Sequence, residues 1–239
     1  MRPTWMSWLE LFFPSCCESC GASTEGGPLC ATCRARLPWL PQASCERCEI
    51  ELSPPWPRLC ARCTTTESPL VACRTSVAFG DAAEHWIHRF KYPGRCLAGL
   101  DPGPRAVVCD LVRESARRMS RPPPDEIVPI PLHPNRLRSR GFNPAAVLAR
   151  EVASELSCRW TPDLLTRVRD TPSQTELDRR QRRRNVAGAF VARRRPPPHV
   201  WLVDDVVTTG STLESAARAL RAAGAREVAA VCIARVPLL

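Results

Sequence analysis

Lysine is almost missing from this chain of 239 residues: Lys91 stands alone against 33 arginines. Such an imbalance marks a bias in the coding sequence. The net charge of +10 and the pI near 9.2 are therefore no sign of side chains selected one by one for a polyanionic partner. Also missing is any apolar run near the roughly 18–20 residues that a bilayer-spanning helix requires. The opening stretch carries Trp5, Trp8, Leu9, Leu11, Phe12 and Phe13, but Glu10 interrupts it and no small-residue cleavage site follows. It reads as a short packing segment, and the chain as cytoplasmic. The four histidines, His85, His88, His133 and His199, show no metal-ligand spacing. Hydrophobic residues make up 44% of the chain, which excludes wholesale disorder.

Cysteine is plentiful, with 14 in all. Eight form four C-x-x-C pairs: Cys17/Cys20, Cys30/Cys33, Cys45/Cys48 and Cys60/Cys63. Corresponding pairs recur 28 or 30 positions apart, a two-fold internal repeat. A C-x-x-C turn aims two thiolates at one point, and two such turns complete a tetrahedral shell suited to zinc. Disulfides would need an oxidising compartment, and a redox C-x-x-C normally occurs once, beside a βαβ unit. The spacing leaves two pairings open: sequential ribbons, 17/20/30/33 and 45/48/60/63, or interleaved ones, 17/20/45/48 and 30/33/60/63. Gly21 after Cys20 suits a tight knuckle turn, whereas Glu49 after Cys48 is a less favourable choice. Cys73, Cys96, Cys109, Cys158 and Cys232 are isolated and read as small buried hydrophobes.

Charge divides the chain in the same way. Residues 1–70 hold six Arg and seven Glu, while residues 167–195 hold ten Arg against Asp170, Glu176 and Asp178. Each Zn²⁺ on four thiolates adds a net −2, so two filled sites lower +10 to +6. The expectation is an acidic metal module, residues 1–68, joined to a basic α/β domain, residues 69–239. Beyond residue 70, apolar runs and helical spacings alternate. Val71–Phe79 reads as a strand and Ala82–Phe90 as a helix. A longer helix starts near Arg105, after Pro102 and Pro104. Ile127–Ile130 is a buried strand and Ala145–Leu156 a helix. Val186–Val191 and Val200–Val203 are strands, Leu213–Ala223 a helix stopped by Gly224, and Val228–Ile233 the last strand. The pattern predicts a mostly parallel sheet with helices.

The most informative stretch runs from Val200 to Thr212. An apolar strand ends at Asp204 and Asp205; then Thr208, Thr209, Gly210, Ser211 and Thr212 form a small hydroxyl-rich loop that opens a helix. Ser211 and Glu214 have the spacing of a capping box. Free N–H groups at a helix start suit a phosphate. Acids at the carboxyl end of a strand suit sugar hydroxyls or a magnesium ion. The stretch lacks a Walker lysine and a G-x-G-x-x-G turn. It asks for a sugar phosphate.

This stretch resembles the phosphoribosyl-diphosphate (PRPP) signature of type I phosphoribosyltransferases. With four further features it is similar to the ComF family associated with bacterial competence. These are the double cysteine ribbon; His88-Arg89-Phe90-Lys91-Tyr92; Val128-Pro129-Ile130-Pro131-Leu132-His133-Pro134 running through Arg136, Arg138, Arg140, Gly141, Phe142 and Asn143; and Gln174 to Phe190 with Leu177, Arg182, Asn185 and Gly188. Pro144 departs from the glutamine usual after Gly-Phe-Asn, and suits the first position of a helix. The resemblance implies a phosphoribosyltransferase-like α/β fold after a double zinc ribbon, with zinc held by Cys17, Cys20, Cys30, Cys33, Cys45, Cys48, Cys60 and Cys63. It implies that Asp204 and Asp205 hold the ribose hydroxyls and Thr208–Thr212 wrap the 5′-phosphate. The loop after Ile130, with Arg136, Arg138 and Arg140, would meet pyrophosphate and its magnesium. Lys91 supplies a compact ammonium within a family motif.

Two functions compete. One is an enzyme transferring the ribose-5-phosphate group of PRPP to an unidentified acceptor. The other is an adaptor of the competence machinery that binds single-stranded DNA or a partner protein, with little catalysis. Arg179–Arg184 is a hood over the site, a basic patch or a solvated helix face. No aromatic lies between Trp160 and Phe190 to stack a base.

Overall fold

A computed structural model of the chain describes residues 15–24, 26–55, 57–93, 102–170 and 188–237. The apolar opening segment, Cys96, and the stretch with Gln174, Leu177, Arg182 and Asn185 lie outside the described residues.

The sequence repeat is a structural repeat. Two five-residue helices, α1 (Ala31–Ala35) and α2 (Ala61–Thr65), each start directly after the third cysteine of a set of four. Their N-cap residues, Cys30 and Cys60, have nearly equal backbone angles, φ −69 and ψ 162 against φ −70 and ψ 162. The preceding knuckles match too: Gly21 N–H donates to the Cys17 carbonyl and Glu49 N–H to the Cys45 carbonyl, both at 2.8 Å.

The rest is α/β. The elements are β1 (Ala72–Arg74), β2 (Val77–Ala78), α3 (Asp81–Lys91), α4 (Pro102–Arg117), β3 (Glu126–Pro129), α5 (Pro134–Arg140) and α6 (Pro144–Leu156). Then come β4 (Arg159–Trp160), β5 (Leu165–Arg167), β6 (Phe190–Ala192), β7 (His199–Val203), β8 (Val206–Val207), α7 (Ser211–Ala222), β9 (Glu227–Val231) and β10 (Ala234–Arg235). The main sheet has the order β1-β9-β7-β3-β4 and is parallel throughout. A smaller parallel sheet, β2-β10-β8, continues it at the carboxyl end, and β5 and β6 pair antiparallel. Both faces of β7 are covered. Trp201 and Val203 join the core built with α3, α4 and α6, whereas Val200 and Leu202 join the core under α7. That double coverage is why this strand reads as an unbroken apolar run and does not alternate.

Several elements differ from expectation; the strand expected over Val186–Val191 is Phe190–Ala192 among the described residues. The single strand expected over Val71–Phe79 is two, in different sheets, because Thr75 N–H turns aside to the Glu49 carboxylate at 2.7 Å. The helix expected near Arg105 begins at Pro102. First-turn N–H groups have no helical partner, so proline there loses nothing. The segment expected as a basic loop after Ile130 holds the two-turn helix α5. The His133 imidazole caps it by accepting from Asn135 N–H, and Gly141 closes it with φ 84.

Pro144 does open α6, with Asn143 as its N-cap. The Asn143 side chain accepts from Ala145 N–H at 3.1 Å and donates to the Ile130 carbonyl at 3.0 Å, tying α6 to the end of β3.

The cysteine-rich part is packed onto this frame. Cys17, Leu29 and Leu37 share a core with α3, α4 and α6. Arg34 pairs with Asp110 and Glu114 of α4. Backbone bonds run to both sheets: Cys73 N–H to the Glu46 carbonyl at 2.7 Å, Ala78 N–H to the Pro38 carbonyl at 2.8 Å, and Leu40 N–H to the Ser76 carbonyl at 3.0 Å.

Candidate sugar-phosphate cleft and metal centres

Asp204 and Asp205 follow the last residue of β7, where the parallel sheet splits and a ligand can reach strand ends. Asp205 N–H donates to Asp204 Oδ1 at 2.9 Å. The Asp204 carboxyl is pushed up to about 7, first by burial and then by the charge of Asp205. The ammonium of Lys91, on the last turn of α3, lies 2.8 Å from Asp205 Oδ1. The only lysine in the chain thus faces the acid pair across 114 residues of sequence.

A cleft of about 950 Å³ opens over the acids. Thr208 and Thr212 line it from the turn into α7, and Lys91, Arg136, Arg140 and Arg167 bring four cations to its walls. Gly210, with φ 78, is the N-cap of α7, and no side chain caps the helix. The capping box expected from Ser211 and Glu214 does not form, because Ser211 is already inside the helix and Glu214 pairs with Arg218 at 3.2 Å. The left-handed turn at Gly210 starts the helix in place of a side-chain cap, which leaves the dipole end for an external acceptor.

Not every expected residue faces this cleft. Arg136 and Arg140 are one helical turn apart on α5, share a face and line it. Arg138 lies between them on the opposite face; it is exposed, and its guanidinium donates to Asn135 Oδ1 at 2.6 Å. Thr209 and Gly210 border a second cavity, of about 470 Å³, behind the turn. Ser211 is buried, and its hydroxyl is 2.8 Å from that of Thr209.

One contributor escaped sequence reading. Arg167, at the end of β5, is buried, lies over the Phe190 ring at 5.6 Å and lines the cleft. Burial, then nearby Arg136, lower its pKa. Tyr92, the last residue of the His88–Tyr92 motif, accepts at its hydroxyl from Arg140 at 2.8 Å, which bridges α3 to α5.

The eight paired cysteines form two groups, Cys17/Cys20/Cys30/Cys33 and Cys45/Cys48/Cys60/Cys63, with the sulfurs of each group within 4.8 Å of one another. Of the two open pairings, the sequential one is formed. A tetrahedron with Zn–S near 2.3 Å has S···S edges of about 3.8 Å. Cys20–Cys30 at 3.8 Å and Cys48–Cys60 at 3.7 Å match it. An all-thiolate set of this size could hold a metal ion and suits zinc. Of the isolated cysteines, Cys73, Cys109 and Cys232 are buried and Cys158 is half-buried; Cys16, next to the first pair, is exposed.

Residues 143–237 match the phosphoribosyl transferase domain model. The DNA utilization protein YhgH of Salmonella typhimurium is 33% identical over 225 residues, covering 92% of this chain and 89% of that protein. Competence protein F of Haemophilus influenzae is 28% identical over 226 residues, covering 92% and 90%. Competence protein ComFC of Streptococcus pneumoniae is 26% identical over 211 residues, covering 87% of each chain. With relatives of this closeness along nearly their full lengths, a phosphoribosyl transferase domain and two cysteine tetrads before it, this chain belongs to the ComF family of phosphoribosyltransferase-like proteins.

Proposed function

We propose that this protein binds PRPP with magnesium and transfers its phosphoribosyl group to an acceptor, as a pentosyl transferase serving DNA uptake in natural transformation. One observation carries the reading: the acids ending β7 share a single cleft with the start of α7 and with four cations from α3, α5 and β5. Asp204 and Asp205 accept the ribose hydroxyls. Thr208 and Thr212, with the first turn of α7, take the 5′-phosphate. Arg136 and Arg140 meet the pyrophosphate, whose oxygens match a guanidinium fork. The carboxylates of Asp204 and Asp205 suit magnesium, a hard cation that would supply neutralisation of the charge on the leaving group when bound. The chain's own share is orientation of the sugar and stabilisation of the departing charge.

Zinc is assigned to both tetrads in a structural role, with residues 1–68 as the metal module and 69–239 as the transferase domain. Among the described residues no helix is long and apolar enough to cross a membrane, and we place the protein in the cytoplasm. The test of the reading is calorimetry with magnesium–PRPP. The wild type binds, and the double variant Asp204→Asn/Asp205→Asn loses binding. Absence of wild-type binding sinks the proposal. Pyrophosphate release against a panel of bases and amines then identifies the acceptor.

The names of the relatives, DNA utilization protein and competence protein, favour a second reading: an adaptor that binds single-stranded DNA or a competence protein and catalyses little. A single-stranded DNA titration at several salt concentrations separates the two. Affinity that is absent or independent of salt rejects phosphate contacts.

A further inference from the structure

Glu49 occupies the position that Gly21 holds in the first repeat. Both residues have positive φ, 74 at Gly21 and 55 at Glu49. A side chain in that region is disfavoured, and only Gly adopts it at no steric cost. The glutamate carboxylate explains the exception. It is fully buried; Oε1 accepts from Thr75 N–H at 2.7 Å, and Oε2 accepts from the Thr75 hydroxyl at 2.7 Å and from Arg235 Nε at 3.0 Å. The turn of the second tetrad therefore drives a charged group into the junction of β1, β2 and β10.

Arg235 leads from there to the cleft. It ends β10, which pairs with β8 in the register Ala234↔Val206 and Arg235↔Val207. The two preceding N–H groups, of Ile233 and Ala234, donate to the Asp205 carbonyl at 2.9 and 3.3 Å. From Cys48 through Glu49 and Arg235 to Asp205, every step is covalent or hydrogen-bonded. Thr209, Gly210 and Leu213 meanwhile border the cavity of about 470 Å³. Space lies behind the turn, so β10 is the support on that side.

We propose that Glu49 is a positioning residue that sets the acid pair and the turn into α7, so that the metal state of the second tetrad reaches affinity for the sugar phosphate. The proposal rests on the PRPP reading for its ligand but not for its geometry. The test is the metal-replete variant Glu49→Gly. Glycine suits the turn, so two metal ions per chain are retained. Affinity for magnesium–PRPP falls about tenfold, the scale of a modest coupling between sites. Amide hydrogen exchange over residues 204–212 becomes faster, while exchange within α6 is unchanged. Glu49→Gln keeps the shape and an oxygen for Thr75 N–H, but its amide NH2 cannot accept from the Thr75 hydroxyl or from Arg235 Nε, and the charge facing Arg235 is gone. It gives the same pattern with a smaller change, and it decides the matter if the glycine variant does not fold. Wild-type exchange over 204–212 in a metal-replete, folded variant overturns the proposal. Exchange is read without ligand. Faster exchange in the variant, with no PRPP binding by the wild type, sinks the sugar-phosphate reading and keeps the positioning role.

Discussion

Asp204 sits beside a second carboxylate at the end of a buried strand, and its ionisation is opposed by both. Its ordinary value of 3.8 becomes about 7 in the folded protein. Below about pH 4 both folded and unfolded chains are protonated there, and the group contributes nothing to stability. Between about pH 4 and 7 the unfolded chain has released a proton that the folded one keeps, so stability falls as pH rises. Above pH 7 the full penalty is present. Asp204→Asn is therefore expected to raise the stability of the ligand-free protein most at pH 8 and least at pH 4, measured by denaturant titration at each pH. Binding runs the other way. On the proposed role of Asp204 as acceptor of the ribose hydroxyls, its ionised form is the binding form, so affinity for magnesium–PRPP is expected to drop from pH 8 to pH 6, and the profile to flatten in the asparagine variant. The acids were legible in the sequence because a strand, two acids and a hydroxyl-rich turn are contiguous. Arg167 was not, because only the pairing of β5 with β6 carries it to the cleft.

At the scale of elements, α5 decides which arginines matter. Read as a loop, Arg136, Arg138 and Arg140 were equivalent. Wound into a helix, positions i and i+4 share a face and i+2 lies opposite. Removing a charge-assisted hydrogen bond costs about 1.5–3 kcal/mol, roughly 10- to 150-fold in affinity. Arg136→Ala and Arg140→Ala are each expected to weaken magnesium–PRPP by that factor in calorimetry, and Arg138→Ala by less than about twofold. Equal losses at all three would contradict the helical placement. The short helix was hard to see because seven residues with three arginines carry no apolar stripe, and its caps are a histidine and a glycine. Longer elements with a buried face, α6 and β7 among them, could be read from pattern alone.

Across the whole molecule the two tetrads differ in how deeply they are tied in. Cys45 is fully buried, and its carbonyl accepts from Arg74 at 3.0 Å, whereas Cys20 is exposed. Metal analysis of protein purified under reducing conditions is expected to give two ions per chain. A structural zinc supplies an apparent 10–16 kcal/mol or so, as large as the whole stability of a typical domain. Cys45→Ser should abolish the cooperative thermal transition. Cys20→Ser should lower the melting temperature and leave the transition intact. The repeat and its spacing announced the ribbons, but spacing is blind to which pairs meet, since either pairing satisfies four-fold thiolate coordination.

The backbone bonds between the cysteine module and the sheets have a further consequence. β1 is an outermost strand of the main sheet and β2 of the smaller one, and an open strand edge is a template for another chain. The carbonyls of Glu46 and Pro38, with Leu40 N–H, occupy those edges. If the tetrads hold structural metal as proposed, its removal is expected to unfold the cysteine-rich part and uncover both edges together. Protein stripped by a chelator is then expected to self-associate edge to edge, which light scattering before and after chelation would read; on the proposed zinc assignment, the metal is a guard against aggregation.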